Sequence, residues 1–352
     1  MSASFEGLQS GEADILRIAA ARGMATSQEI DLARMKQERL ARKDEYKDLL
    51  DVLVDQQVMT RNQIERLRQE VSQPQGHTEL PGYKLTAKLG EGSMGVVWKA
   101  KQQCLDRTVA VKILQARLAR NREMLRRFHA EAHLVACLSS SHIAGAIELG
   151  QAFGQHYFVQ EYVEGVSAQF RLDSGQAFPE SELLEFALQA ADALEHLRRR
   201  NVVHRDIKPQ NLVVTPEGTV KLVDLGLARF THDKQLQKEE AGKAIGTPFY
   251  ISPEQIRGDA DAGPAGDMYS LGATLYHMLT GQPAFPGHTS SEVLEAHLKQ
   301  KPAPPHEIKS RVSEPASRVI LRMLAKQARE RPEPQQLVRE LRILLTRASV
   351  KT

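Results

Sequence analysis

The sequence predicts an α+β chain opened by a separate all-helical module, and three observations predict it. Leu89-Gly90-Glu91-Gly92-Ser93-Met94-Gly95-Val96-Val97 sets three glycines between apolar runs, and Val109-Ala110-Val111-Lys112 follows as an alternating strand ending in a lysine. From Met124 to Leu138 apolar residues recur at helical spacing, at Leu125, Phe128, Ala132, Val135 and Leu138. Downstream, Leu212-Val213-Val214, Pro216-Glu217-Gly218 and Val220-Lys221-Leu222-Val223 read as strand, turn and strand.

Each element has a chemical reading and a plain one. Taken alone, the three glycines are a tight hairpin that needs positive φ. A dinucleotide-binding turn is disfavoured, because Val96-Val97-Trp98-Lys99-Ala100 continues as a strand and not as a helix. In a hairpin lid the missing side chains would let backbone amides approach phosphate oxygens. Lys112 would need a carboxylate to hold its flexible ammonium in place. Glu131, on the helix 19 positions later, is the candidate, although an isolated helix glutamate reads as a solvated face. The hairpin 212–223 returns Asn211 toward Asp224, so one proton acceptor and two metal-seeking groups are expected on adjoining turns.

His204-Arg205-Asp206-Ile207-Lys208-Pro209-Gln210-Asn211, Asp224-Leu225-Gly226, the glycine-rich strand and Gly246-Thr247-Pro248-Phe249-Tyr250-Ile251-Ser252-Pro253-Glu254-Gln255 stand in the order found in protein kinases. The chain resembles that superfamily over residues 83 to 347, and within it the bacterial Hanks-type Ser/Thr kinases. The resemblance implies a bilobal fold with a small β-rich lobe and a large, mainly helical lobe. It implies that Asp206 accepts or orients the substrate hydroxyl proton, that Asn211 and Asp224 hold Mg²⁺ or Mn²⁺, and that Lys112, paired with Glu131, holds the ATP phosphates. Leu89, Gly90, Gly92, Gly95, Val97 and Ala110 would frame the nucleotide. The backbone of Glu161 and Val163 would bind adenine behind the gatekeeper Gln160. Lys208 and Thr247 imply a protein Ser or Thr acceptor, Glu254 pairs with Arg331, and Asp267 ties to the catalytic-loop backbone.

The chain departs from the family at Ser252, where alanine is usual, and at Leu225, where phenylalanine is commoner. Gln210 stands where several kinases selective for basic peptides have glutamate, which leaves little Coulombic reason to prefer arginine upstream of the acceptor. At the positions where relatives are phosphorylated the chain has Glu239 and Ala241, so Glu239, with Glu240, is expected to pair with Arg205. An ATP-binding scaffold is the alternative to an active enzyme. A small-molecule phosphotransferase is disfavoured, since residues 246–254 form a peptide platform in the family.

The 352 residues carry a net charge of +3, too small to imply a nucleic-acid partner. Cys104 and Cys137 are too few for a disulfide framework and read as buried or bland thiols in a reducing compartment. No apolar run is long enough to span a membrane, and the polar start lacks the regions of a signal peptide, so a cytoplasmic protein acting on protein substrates is expected.

Residues 1–72 form the helical module and 73–82 a polar linker. The module contains a repeat: a shift of 34 places Leu16 on Leu50, Ala19 on Leu53, Met24 on Val58, Thr26 on Thr60 and Ile30 on Ile64. Each copy reads as a helix, a turn and a second helix capped by its threonine, with Glu29 or Gln63 three residues on. An interaction or self-association role, a brace on the kinase and an inert appendage all remain open.

Overall fold

The computed structural model describes residues 15–16, 18–20, 24–41, 47–56, 58–72, 79–92, 94–176, 178–231, 246–259 and 263–349. It divides into two compact units, Met1–Leu80 and Pro81–Thr352.

In the first unit, helical residues at 15–16 and 18–20 precede α1 (Ser27–Ala41), α2 (Leu49–Asp55) and α3 (Arg61–Ser72). The repeat is reproduced in its caps and in a loop bond. Thr26 and Glu29 form a reciprocal capping box, in which the Thr26 amide donates to Glu29 Oε2 (2.7 Å) and the Glu29 amide to Thr26 Oγ1 (3.3 Å). Thr60 and Gln63 repeat it at 2.7 and 3.2 Å. The loops match as well, with the Met24 amide on the Ala19 carbonyl (2.8 Å) and the Val58 amide on the Leu53 carbonyl (3.0 Å). Leu16, Ala19, Ile30, Leu50, Leu53 and Ile64 are buried in one apolar cluster, which supplies the tertiary packing that helices this short require.

The second unit begins with a five-stranded antiparallel sheet: β1 (Tyr83–Glu91), β2 (Gly95–Gln102), β3 (Arg107–Leu114), β4 (Ala146–Ala152) and β5 (Gln155–Glu161), in the order β1-β2-β3-β5-β4. Between β3 and β4 runs α4 (Arg122–Ala136). Asn121 caps it, its side chain accepting from the amides of Glu123 (2.9 Å) and Met124 (3.3 Å). The predicted apolar stripe faces inward, with Phe128, Ala132 and Val135 buried. The helix stops at Ala136, so Leu138 is buried from the following turn rather than from the helix.

The remainder is mainly helical: α5 (Glu180–Arg199), α6 (Pro264–Thr280), α7 (Ser290–Lys299), α8 (Glu314–Met323) and α9 (Pro334–Ser349). Helix α6 is buried along nearly its whole length and packs on α5 and α8, and α9 packs on α5. Short strands run between the helices: β6 (Val166–Ser167), β7 (Val202–Val203), β8 (Leu212–Val214), β9 (Val220–Leu222) and β10 (Arg229–Phe230). The predicted hairpin is β8–β9, with Leu212 opposite Leu222 and Val214 opposite Val220. Its turn uses Gly218 at φ +81°, a value that glycine adopts without steric penalty.

Of the two alternatives for the cysteines, the structure removes burial: Cys104 and Cys137 are free and exposed, Cys104 in the turn between β2 and β3 and Cys137 at the carboxyl end of α4. Among the described residues no helix is long and apolar enough to cross a membrane.

Candidate active site

A cleft of about 1130 Å³ runs between the sheet and the helical part of the second unit, and Lys112 reaches it from β3. Its ammonium donates to both oxygens of Glu131 on α4 (2.7 and 2.9 Å) and to Asp224 Oδ1 (3.3 Å). Burial alone lowers the affinity of Lys112 for its proton, but the charges of Glu131 and Asp224 outweigh that and hold its pKa above the ordinary lysine value. Asp224 keeps half its side chain exposed, but the surrounding cleft still removes water from its carboxylate, which works against the charged form. There Lys112, followed by His204, wins, and the pKa is lowered.

The catalytic-loop stretch is fixed from two sides. Asp267, near the start of α6, accepts from the amides of His204 and Arg205, each at 2.7 Å. The side chain of Gln255 donates to the Arg205 carbonyl (2.8 Å). Arg205 is thereby held at φ +72°, a conformation that costs roughly 1–3 kcal/mol and persists only where its surroundings dictate it. Ser252 helps to set Gln255, because its hydroxyl and the glutamine side chain form a capping box at the start of helix Pro253–Arg257. The departure from alanine at this position thus adds a cap that alanine cannot make. Burial pushes the Asp267 carboxyl up to about 6 against the pull of its two amides, and pushes the His204 imidazole down to about 4.

Asp206, Lys208, Asn211 and Thr247 meet at the floor of the cleft. Thr247 Oγ1 donates to Asp206 Oδ1 (2.8 Å) and accepts from the Lys208 ammonium (3.1 Å), which itself lies 2.6 Å from Asp206 Oδ2. The Asn211 amide nitrogen donates to the Asp206 carbonyl (2.9 Å) and to Asp206 Oδ2 (3.3 Å), so its oxygen is the atom left as an acceptor. Asp224 sits at φ +59°, with Leu225 buried behind it. Leucine therefore occupies the apolar position within the core.

The glycines answer the plain reading made from sequence. None of Gly90, Gly92 and Gly95 has positive φ, so hairpin geometry does not require them. A Cβ on Gly95 would lie 2.0 Å from the Ile113 carbonyl oxygen, so packing between β2 and β3 requires that one. A Cβ on Gly90 or Gly92 would meet nothing within 4 Å, yet both residues line the cleft. Nothing in the protein itself crowds these two positions. Leu89, Val97, Ala110, Glu161 and Val163 line it with them.

Glu161 and Val163, expected to bind adenine through their backbone, lie at the hinge where β5 ends and the chain passes on to β6. The Glu161 amide is bonded to the Gly145 carbonyl (2.8 Å), whereas among the described residues the Val163 amide makes no backbone hydrogen bond. The Glu161 side chain accepts from Lys221 (2.6 Å) and from the Gly145 amide (3.2 Å), tying the hinge to β9. The sequence reading missed this tie, and no local pattern marks it, since Lys221 lies 60 positions away on a short strand. Arg331 forks onto Glu254, with Nη2 donating to Oε2 at 2.9 Å. Glu239 and Glu240, expected to face Arg205, lie outside the described residues.

Residues 83–341 match the family described as protein kinase domain. The chain belongs to the protein kinase family. Among curated kinases it is 36% identical over 254 residues to serine/threonine-protein kinase PknB of Mycobacterium leprae, covering 71% of this chain and 40% of that protein. It is 34% identical over 244 residues to a probable serine/threonine-protein kinase of Clostridium perfringens, covering 69% of this chain and 35% of that one. To a probable serine/threonine-protein kinase of Streptomyces coelicolor it is 35% identical over 249 residues, or 69% and 37%. The chain thus spans little more than a third of the length of these kinase relatives.

Proposed function

We propose that the chain transfers the γ-phosphate of ATP to serine or threonine hydroxyls of protein substrates. The observation that carries this reading is the Asp206–Thr247–Lys208 cluster. It joins the catalytic loop to the segment that would carry the acceptor, and leaves the Asp206 carboxylate at the cleft floor. Asp206 accepts and orients the acceptor hydroxyl proton, and Lys208 offsets the charge that gathers on the oxygens. Lys112, kept cationic by Glu131, positions the α and β phosphates beneath Gly90 and Gly92, where no side chain stands in the way. The Glu161 carbonyl and the Val163 amide hold adenine.

The residues fit a hard divalent cation. The Asn211 oxygen is left as an acceptor, and the Asp224 side chain is 53% exposed. Two hard oxygen donors suit Mg²⁺, an ion that keeps water and phosphate oxygens in its shell. When bound it supplies charge neutralisation on the phosphates.

The test is transfer of labelled phosphate to a mixed protein acceptor with Mg²⁺, comparing wild type with Asp206→Ala and Lys112→Met. Phosphoserine or phosphothreonine formed by wild type alone is the expected result. ATP binding with no transfer beyond the Asp206→Ala background would establish the scaffold reading instead.

For the helical unit the reading is an interaction module. Leu32 and Met35, a helical turn apart on α1, are 60% and 67% exposed. Sedimentation of the full chain before and after Leu32→Glu/Met35→Glu tests it, and an unchanged mass with no loss of binding to any partner would remove it.

A further inference from the structure

The carboxylates of the cleft are paired in a specific way. Four carboxylates line the cleft, and a lysine already holds each: Glu91 is bonded to Lys88 (2.6 Å), Glu161 to Lys221 (2.6 Å), Asp206 to Lys208 (2.6 Å) and Asp224 to Lys112 (3.3 Å). Among the described residues lining the cleft, each carboxylate thus already has a cationic partner. Of the acidic groups beyond the lining, Asp173 accepts from the Gln169 side chain (2.6 Å) and Glu164 faces solvent.

What the mouth offers instead is apolar. Phe170 is 59% exposed and Val166 41% exposed, and both line the same cleft as Asp206, Gln210 and Thr247. The backbone beneath them is fixed. Ser167 caps the helix Ala168–Asp173 by accepting from the Phe170 amide (3.1 Å), and the Ser174 hydroxyl donates to the Phe170 carbonyl (2.7 Å). That helix packs against the turn Pro209–Asn211, which carries Gln210. A single exposed phenylalanine needs no explanation. Two exposed apolar side chains four residues apart, lining the cleft that holds the proposed base, do.

Resting on the kinase reading above, we propose that Phe170 and Val166 form an acceptor subsite that seats an apolar side chain of the protein substrate, of leucine, methionine or phenylalanine type, within four residues of the phosphorylated Ser or Thr. Burial of that side chain against Phe170 and Val166 releases water from both surfaces. A basic side chain at the same place would meet two apolar surfaces and, among the described residues lining the cleft, only carboxylates already paired with a lysine. The enzyme therefore discriminates by apolar contact where a free carboxylate would select arginine.

The experiment is a positional-scanning peptide library phosphorylated by the full chain with ATP and Mg²⁺. It is read for wild type, Phe170→Ser, Phe170→Leu and Val166→Thr, with Asp206→Ala as background. At one position wild type should favour leucine over arginine by about tenfold, the scale of one aliphatic side chain partly buried. The ratio should fall toward one in Phe170→Ser, fall part-way in Val166→Thr and persist in Phe170→Leu. Because each ratio is internal to one variant, a general loss of rate does not mimic the effect. Selection for arginine, no selection, or an apolar preference unchanged in both Phe170→Ser and Val166→Thr would overturn the subsite while leaving the kinase intact. Wild-type transfer no greater than the Asp206→Ala background would sink the kinase reading and the subsite with it.

Discussion

In the helical unit the bonds that fix geometry close over three residues, Thr26 with Glu29 and Thr60 with Gln63. In the cleft they span 41 positions from Thr247 to Asp206, 62 from Arg205 to Asp267 and 112 from Lys112 to Asp224. The first kind of bond forms as soon as the local helix does. The second exists only once the whole unit has folded, and its loss leaves a buried or converging charge without its partner. Small, repeatable effects are therefore expected in the helical unit, and large, non-additive ones in the cleft.

The largest expected break is chemical. Asp206→Ala or Asp224→Ala should lower kcat/KM by roughly a thousandfold or more, because each group acts where charge develops. Thermal unfolding should move little for Asp224→Ala, whose side chain is half exposed. Steady-state rates and melting curves of the same preparations check both halves. A comparable loss for Thr247→Val, which breaks the bridge but keeps the shape, would extend the effect to a group that contributes no charge.

Next is the buried pair behind the catalytic loop, where pH separates two opposite contributions. Asp267 has a folded pKa of about 6, above its unfolded value, so the native state binds the extra proton. Its contribution to stability is present below about pH 4 and is lost as pH rises to 6. His204 has a folded pKa of about 4, below its unfolded value, so its contribution is present above about pH 6.5 and is lost as pH falls to 4. Each amounts to an order of 2–3 kcal/mol, and over the shared window the two slopes nearly cancel. Urea unfolding of His204→Gln should reveal stability that falls between pH 4 and 6, and Asp267→Asn stability that rises. Parallel profiles for the two variants would contradict this assignment.

Within the helical unit, Leu53→Ala removes a fully buried side chain and should cost about 2–5 kcal/mol. The smallest and sharpest test is the pair of caps. Thr26→Ala and Thr60→Ala should each cost about 1 kcal/mol, and equally so, because their bond lengths agree to within 0.1 Å at the matching amides. Unequal losses would show that the repeat is similar in geometry but not in energy.

The two regions also differ in how they could be read beforehand. The repeat with its threonine caps, the β8–β9 hairpin and the apolar stripe of α4 were legible because each is a pattern within a few turns of chain. Lys112, Glu131, Asp206, Asn211 and Asp224 were legible as a set only through the resemblance, since nothing local brings Lys112 to Asp224. The Lys221–Glu161 tie, the exposure of Cys104 and Cys137, and the apolar mouth at Phe170 left no periodic trace. Each depends on which surface the rest of the fold covers.

By itself, then, the sequence determined the local elements, their caps and the identity of the charged groups, because hydrogen bonds over three or four residues and side-chain periodicity are properties of a short segment. Only the tertiary structure decided that Gly90 and Gly92 line the cleft without positive φ, and that Ser252 sets Gln255 against Arg205. It also decided that every carboxylate lining the cleft is already paired with a lysine. The reason is physical: proton affinity, exposure and ion pairing depend on neighbours that are distant along the chain and close only after folding.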